Sequence, residues 1–129
     1  MSVVGAALLL ASWPTSAPAS ASTRSSDACT HNWSGPKVCI SIVGHDHFAR
    51  SLRAVWKNPP GDVRQSRAIV HEGPEQREVH VRVMGRRSGD EVVAEWRDLE
   101  LADGRVCVSF ADTAGVWACQ DSYATGRGD

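Results

Sequence analysis

The stretch on which the fold is decided is Arg105-Val106-Cys107-Val108-Ser109-Phe110, then Asp112-Thr113-Ala114-Gly115, then Val116-Trp117-Ala118-Cys119. Its first six residues put Val106, Val108 and Phe110 on one side of an extended chain and Cys107 and Ser109 on the other, the pattern of a half-buried strand. Turn residues follow, and the chain returns. If residues 111 and 115 flank a three-residue loop, Cys107 stands opposite Cys119, Val108 opposite Ala118, Phe110 beside Val116 and Ser109 opposite Trp117. Directly opposed residues of an antiparallel pair have Cβ atoms about 4.5–5.5 Å apart, within reach of a disulfide after little movement.

Cys29 and Cys39 enclose the segment from Thr30 to Val38, which has a turn signal at Ser34-Gly35-Pro36. Four cysteines allow three connectivities, and their order alone does not choose. Local geometry favours Cys29–Cys39 with Cys107–Cys119. Neither pair has the Cys-x-x-Cys spacing of a zinc or redox motif, so disulfides formed in an oxidising compartment are the reading. Loops this short contribute about 2–3 kcal/mol each.

Further out, Leu52, Ala54 and Trp56 alternate with Arg53 and Val55, and Asn58-Pro59-Pro60-Gly61-Asp62 ends that strand. Val79, Val81 and Val83 alternate with His80 and Arg82 as a half-buried strand, Gly85 to Asp90 reads as a polar turn, and Val92, Ala94 and Trp96 form the next apolar face. Leu99 and Leu101 fall out of phase with Trp96, which predicts a bulge or bend near Asp98. Asp103-Gly104 is a type I′ hairpin signal that would set Leu101 opposite Val106 and Leu99 opposite Val108. Ala68 to His71 is a further short strand. About seven strands with frequent turns predict an all-β fold, a two-sheet antiparallel sandwich that is immunoglobulin-like in the broad sense. The segment from Cys107 to Cys119 resembles the disulfide-closed hairpin of the secreted chromoprotein-antibiotic carriers related to neocarzinostatin; the likeness is confined to that hairpin and implies no ligand site.

Residues 1–21 carry no charged side chain. The apolar run from Val3 to Ala11 is too short to span a bilayer, which takes about 20 residues. Ala17-Pro18-Ala19 and Ala19-Ser20-Ala21 both fit the small-x-small rule of a signal peptidase, so a signal peptide cut after Ala21 is expected, although no Lys or Arg precedes the run. The expected organisation is a signal peptide over 1–21, an unstructured segment over 22–28, one sandwich domain over 29–123 and a disordered tail over 124–129. The product would be secreted, with no membrane span after processing. A formal net charge of −1 implies neither nucleic acid nor an acidic membrane as partner. Twelve Arg stand against two Lys, a bias associated with high-GC bacterial genomes.

Each disulfide-closed loop carries one tryptophan, Trp33 and Trp117. Rigidly held indoles offer large apolar surface at low entropic cost, so Trp33, Trp117, His31 and Asn32 are the candidate ligand-binding residues, for a carbohydrate or a protein. Trp56 and Trp96 belong to the core by their alternation. His45-Asp46-His47 could place two imidazoles on one side of an extended segment as metal ligands, with His31, His71 or His80 as a third, but two ligands fall short of the three that a catalytic zinc needs. Pro59-Pro60-Gly61 could be the stiff loop of an extracellular protease inhibitor. No Gly-x-Ser-x-Gly elbow and no glycine-rich phosphate loop occurs, and Glu91 with Glu95, or Glu72 with Glu75, read as solvated carboxylates. The expectation is a monomeric, secreted, non-catalytic binding module without a cofactor, with metal binding through His45 and His47 or protease inhibition as the alternatives.

Overall fold

The structure is a computed structural model that describes residues 24–30, 35–113 and 115–121. The expected signal peptide, the tail over 124–129 and the candidates His31, Asn32 and Trp33 lie outside the described residues. Eight strands follow in order: β1 (Arg24–Cys29), β2 (Lys37–His45), β3 (Phe48–Lys57), β4 (Gln65–Glu72), β5 (Val83–Ser88), β6 (Glu91–Glu100), β7 (Arg105–Phe110) and β8 (Ala118–Asp121). No helix occurs among the described residues.

All eight strands join one antiparallel sheet in the order β1-β2-β3-β6-β5-β4-β7-β8. The end strands lie against each other without a ladder among the described residues, and β8 also packs on β2, so the sheet is nearly closed into a barrel. This replaces the expected two sheets of about seven strands, because β3 pairs with β6 and β4 with β7, which leaves no break between the two halves. β4, β5 and β6 form a meander and β7 returns beside β4, a Greek key.

The inward alternation builds the core in rows. Val38, Trp56 and Val92 are cross-strand neighbours, as are Ile40, Ala54 and Ala94, and Ile42, Leu52 and Trp96. Small residues in the middle row leave space between the tryptophans above and below, and eight strands close around an interior that side chains can fill. From the other side come Val70, Val106, Val108 and Phe110, whose ring lies 6.0 Å from that of Trp56. Gly85 faces this ring: a Cβ built on it would lie 3.0 Å from Phe110 Cε1 and 3.0 Å from the Ser66 carbonyl oxygen. That inward glycine explains why Gly85 to Ser88 form a strand instead of the expected polar turn. The reversal sits at Gly89 and Asp90, with Gly89 at a φ of 63°.

The decisive hairpin has the predicted register, Cys107 opposite Cys119 and Val108 opposite Ala118. Its loop is wider than expected, since β8 begins at Ala118 and Phe110 does not pair with Val116. Thr113, 2% exposed, fills the loop, its Oγ1–H donating to the Phe110 carbonyl and its own N–H doing the same. The disulfides are Cys29–Cys39 and Cys107–Cys119. Arg24–Cys29 forms β1, where an unstructured segment was expected. Six paired residues on β2 and the Cys29–Cys39 bridge hold it.

Two further expectations are corrected. β6 and β7 are not a hairpin: Gly104 has a φ of 108°, but Asp103 does not share the positive φ that a type I′ turn requires at both central residues. The Leu101 N–H instead donates to the His47 carbonyl and the Ala102 N–H to Glu72 Oε1, which carries the chain across the barrel end. Residues 78–82 are not a strand, and the predicted face is reversed, with Val79 60% and Val81 77% exposed. His80 turns inward to the buried Glu72, Nε2 to Oε2 2.7 Å, and the Trp96 indole N–H donates to the Val81 carbonyl at 2.7 Å. A buried carboxylate demands partners, and that demand outweighs the exposure of two valines. The bend expected near Asp98 is present as a φ of 55° there.

Candidate functional site

Strand direction decides which loops meet. β2, β4, β6 and β8 start at one end of the barrel, and β1, β3, β5 and β7 finish there. Both disulfide-closed loops, the connection from β3 to β4 and the β5–β6 turn therefore gather at that end. A cleft of about 630 Å³ lies among them. Gly35 and Pro36 come from the first disulfide loop, Asn58, Pro60, Asp62 and Val63 from the proline-rich connection, and Asp112 from the second disulfide loop. Trp56, from the core row of Val38, Trp56 and Val92, also lines it.

The walls are braced. The Arg87 guanidinium on β5 donates through Nη1 to the Pro60 and Val63 carbonyls at 2.9 and 3.0 Å, and through Nε to the Gly89 carbonyl at 3.1 Å. The Val63 N–H closes a turn onto the Pro60 carbonyl, and the Asn58 N–H donates to the Asp90 carbonyl. Asp112 is held by the Ser66 hydroxyl, which donates to Oδ2 at 2.7 Å from a residue only 3% exposed. Among the described residues the lining includes two carboxylates and no Lys, Arg or His, and neither carboxylate has a basic partner. The site is acidic, stiff and concave, with an indole and two prolines for apolar contact.

Trp117, the one candidate binding tryptophan among the described residues, is elsewhere. It is 38% exposed and stacks on His71 on the outer wall, ring centroids 4.1 Å apart and planes 8° from parallel. His71 Nε2 lies 3.1 Å from Ser109 Oγ. Burial holds the His71 imidazole below its ordinary pKa; the Gln76 backbone and Glu78 pull it upward, and Arg82 adds to the lowering. A hydroxyl beside a neutral imidazole has the composition of a nucleophile and base. Ser109 is however 4% exposed, which closes it to substrate.

His45 and His47 are not brought together as a metal pair. Asp46 and His47 have φ values of 45° and 65° and form the turn between β2 and β3 themselves, so the two imidazoles are not alternate residues of an extended strand. His45 packs edge-on against Phe48, and His47 Nε2 lies 3.0 Å from Asp103 Oδ1. His71 and His80 are engaged with Ser109 and Glu72. No group of three or more His, Cys, Asp or Glu among the described residues could hold a metal ion. Glu91 pairs with Lys57, and Glu95 accepts from Ser51 and Arg97, so neither faces the other as a catalytic pair.

The sequence singled out both disulfide loops and Pro59-Pro60-Gly61 separately, and the fold joins them into one cleft. It did not single out Asp62, Ser66 or Asp112, nor the role of Trp56 as lining. The only local signal was a single Asp in each of the two turns, Asp62 beside Gly61 and Asp112 three residues before Gly115. No protein-family model, curated protein or solved structure matches the chain.

Proposed function

We propose that the protein is a secreted, non-catalytic binding module that holds a small saccharide, or a short segment of an extracellular protein, in the cleft at the barrel end. The observation that carries this reading is the convergence of three braced loops, two closed by disulfides and one by Arg87, on a cleft of about 630 Å³. Ligand pockets commonly enclose roughly 300–1,000 Å³ and favour the mouths of β-barrels. Walls fixed before the ligand arrives lower the ordering cost of binding. Disulfides in a chain of this size support an oxidising, extracellular setting. Asp62 and Asp112 are both exposed, whereas a general acid for glycoside hydrolysis needs a carboxyl held in an apolar pocket, which supports binding without turnover.

The test is an array of extracellular saccharides and peptides probed with the oxidised protein and with Pro60→Trp, which fills the cleft from an exposed position. A ligand bound by the native protein and lost in a folded Pro60→Trp protein supports the reading. Equal retention by both contradicts it.

A further inference from the structure

We infer that the cleft takes an amino sugar, its protonated amine held between Asp62 and Asp112 and its hydroxyl or ring oxygens accepting from the Trp56 indole N–H and the Asn58 side-chain amide. This rests on the reading of the cleft as the binding site and adds the chemistry of what enters it.

Charge is the first constraint. Ionised carboxylates only accept hydrogen bonds, and these two line a cleft with no cationic side chain among its described lining residues. A ligand that brings a positive charge meets them with charge-assisted hydrogen bonds, about twice as strong as neutral ones. A uronate or other acidic sugar would add a third like charge. Asp112 is already oriented by Ser66, so part of the geometry is set in advance.

Trp56 supplies the second and independent constraint. It is 4% exposed and lines the cleft, yet its indole N–H has no hydrogen-bond partner among the described residues. The equally buried Trp96 shows the usual arrangement, its N–H donating to the Val81 carbonyl at 2.7 Å. Among the described residues the Trp56 N–H is not one of the fully buried unpartnered atoms, so it reaches solvent, and the cleft that Trp56 lines is where an acceptor can meet it. A simple alkylamine would satisfy the carboxylates and offer this N–H nothing. A neutral sugar would satisfy the N–H and leave both negative charges uncompensated. A saccharide unit with a free amine meets both demands, and its C–H face suits the apolar wall made by Pro60 and Val63.

The experiment is isothermal titration calorimetry at about pH 6, where such amines are protonated, with two probes of the same backbone. One is the disaccharide of glucosamine, with two free amines; the other is its N-acetylated counterpart, chitobiose. The expected result is binding of the free-amine disaccharide about tenfold tighter than chitobiose, with the difference falling to about twofold or less in the folded Asp62→Asn/Asp112→Asn variant. Equal affinity for the two probes in the native protein overturns the inference about charge and leaves the cleft reading intact, provided Pro60→Trp abolishes both. Binding of neither probe overturns the amino-sugar inference, and the cleft reading is then judged by the array with Pro60→Trp. A preference for the free amine that survives in the double variant also overturns it, because the charge would be read elsewhere.

Discussion

Replacing Arg87 with Met keeps an apolar stem of similar length and removes the guanidinium that ties Pro60, Val63 and Gly89 together. Hydrogen bonds to a charged group are worth about 1.5–3 kcal/mol each when buried, and exposed charge contacts about 0–1 kcal/mol. Two of the three bonds here are exposed and one is part-buried, so the sum is about 1–2 kcal/mol rather than three full contributions. For a domain of this size that lowers Tm by roughly 5–10 °C. The effect should also be local. Amide hydrogen exchange should show the Val63 N–H, which closes its turn onto Pro60, losing protection before the core strands do. Arg87→Lys should recover only part of the loss, because one ammonium can take the place of Nη1 at the Pro60 and Val63 carbonyls but not also that of Nε at the Gly89 carbonyl. Unchanged Tm together with unchanged exchange at Val63 in Arg87→Met would refute the claim that this side chain braces the cleft wall.

Gly85→Ala pushes a Cβ against Phe110 and the Ser66 carbonyl and should cost about 1–3 kcal/mol in urea denaturation; a neutral outcome would mean the Phe110 ring is not packed over Gly85. Cys107→Ala/Cys119→Ala should lose about 3 kcal/mol by the same assay, whereas no loss would contradict the hairpin geometry. His71 has a lowered pKa in the folded state, so between its folded and unfolded pKa values the unfolded chain binds more protons. Its contribution to stability is therefore complete above the ordinary His range and is lost as pH falls through and below about 6.5. His71→Gln should flatten that part of the stability profile, and an unaltered slope would exclude His71 as its source.

What could be read from the chain was what is local. Cys107 and Cys119 are joined by a short loop, and opposed positions follow from alternation alone. The rows containing Leu52, Ala54 and Trp56, and Val92, Ala94 and Trp96, are equally explicit, because period two against one apolar interior admits one arrangement. The reversal at Val79 and Val81 was not legible, since it depends on Glu72 and Trp96, which reach His80 and the Val81 carbonyl through the fold. Likewise, Asp103-Gly104 carries a hairpin signal, but the Leu101 and Ala102 N–H groups find His47 and Glu72 instead of β7. β5 was hidden because Gly85, at its inward position, is explained only by the Phe110 ring that faces it. For the site, the stiffness of each loop was written locally in cysteines and prolines. Their convergence follows from strand directions, and the pairing of Ser66 with Asp112 spans 46 residues.

The central claim is that these three loops form one binding cleft, and amide chemical-shift mapping of the oxidised, isotope-labelled protein against its array-selected ligand tests it most directly. The account predicts perturbations concentrated at Gly35, Asn58, Asp62, Val63 and Asp112, with the Trp56 indole N–H moving among them. Perturbations confined to Trp117, His71, Val79 and Val81 on the outer wall, with the cleft silent, would contradict it.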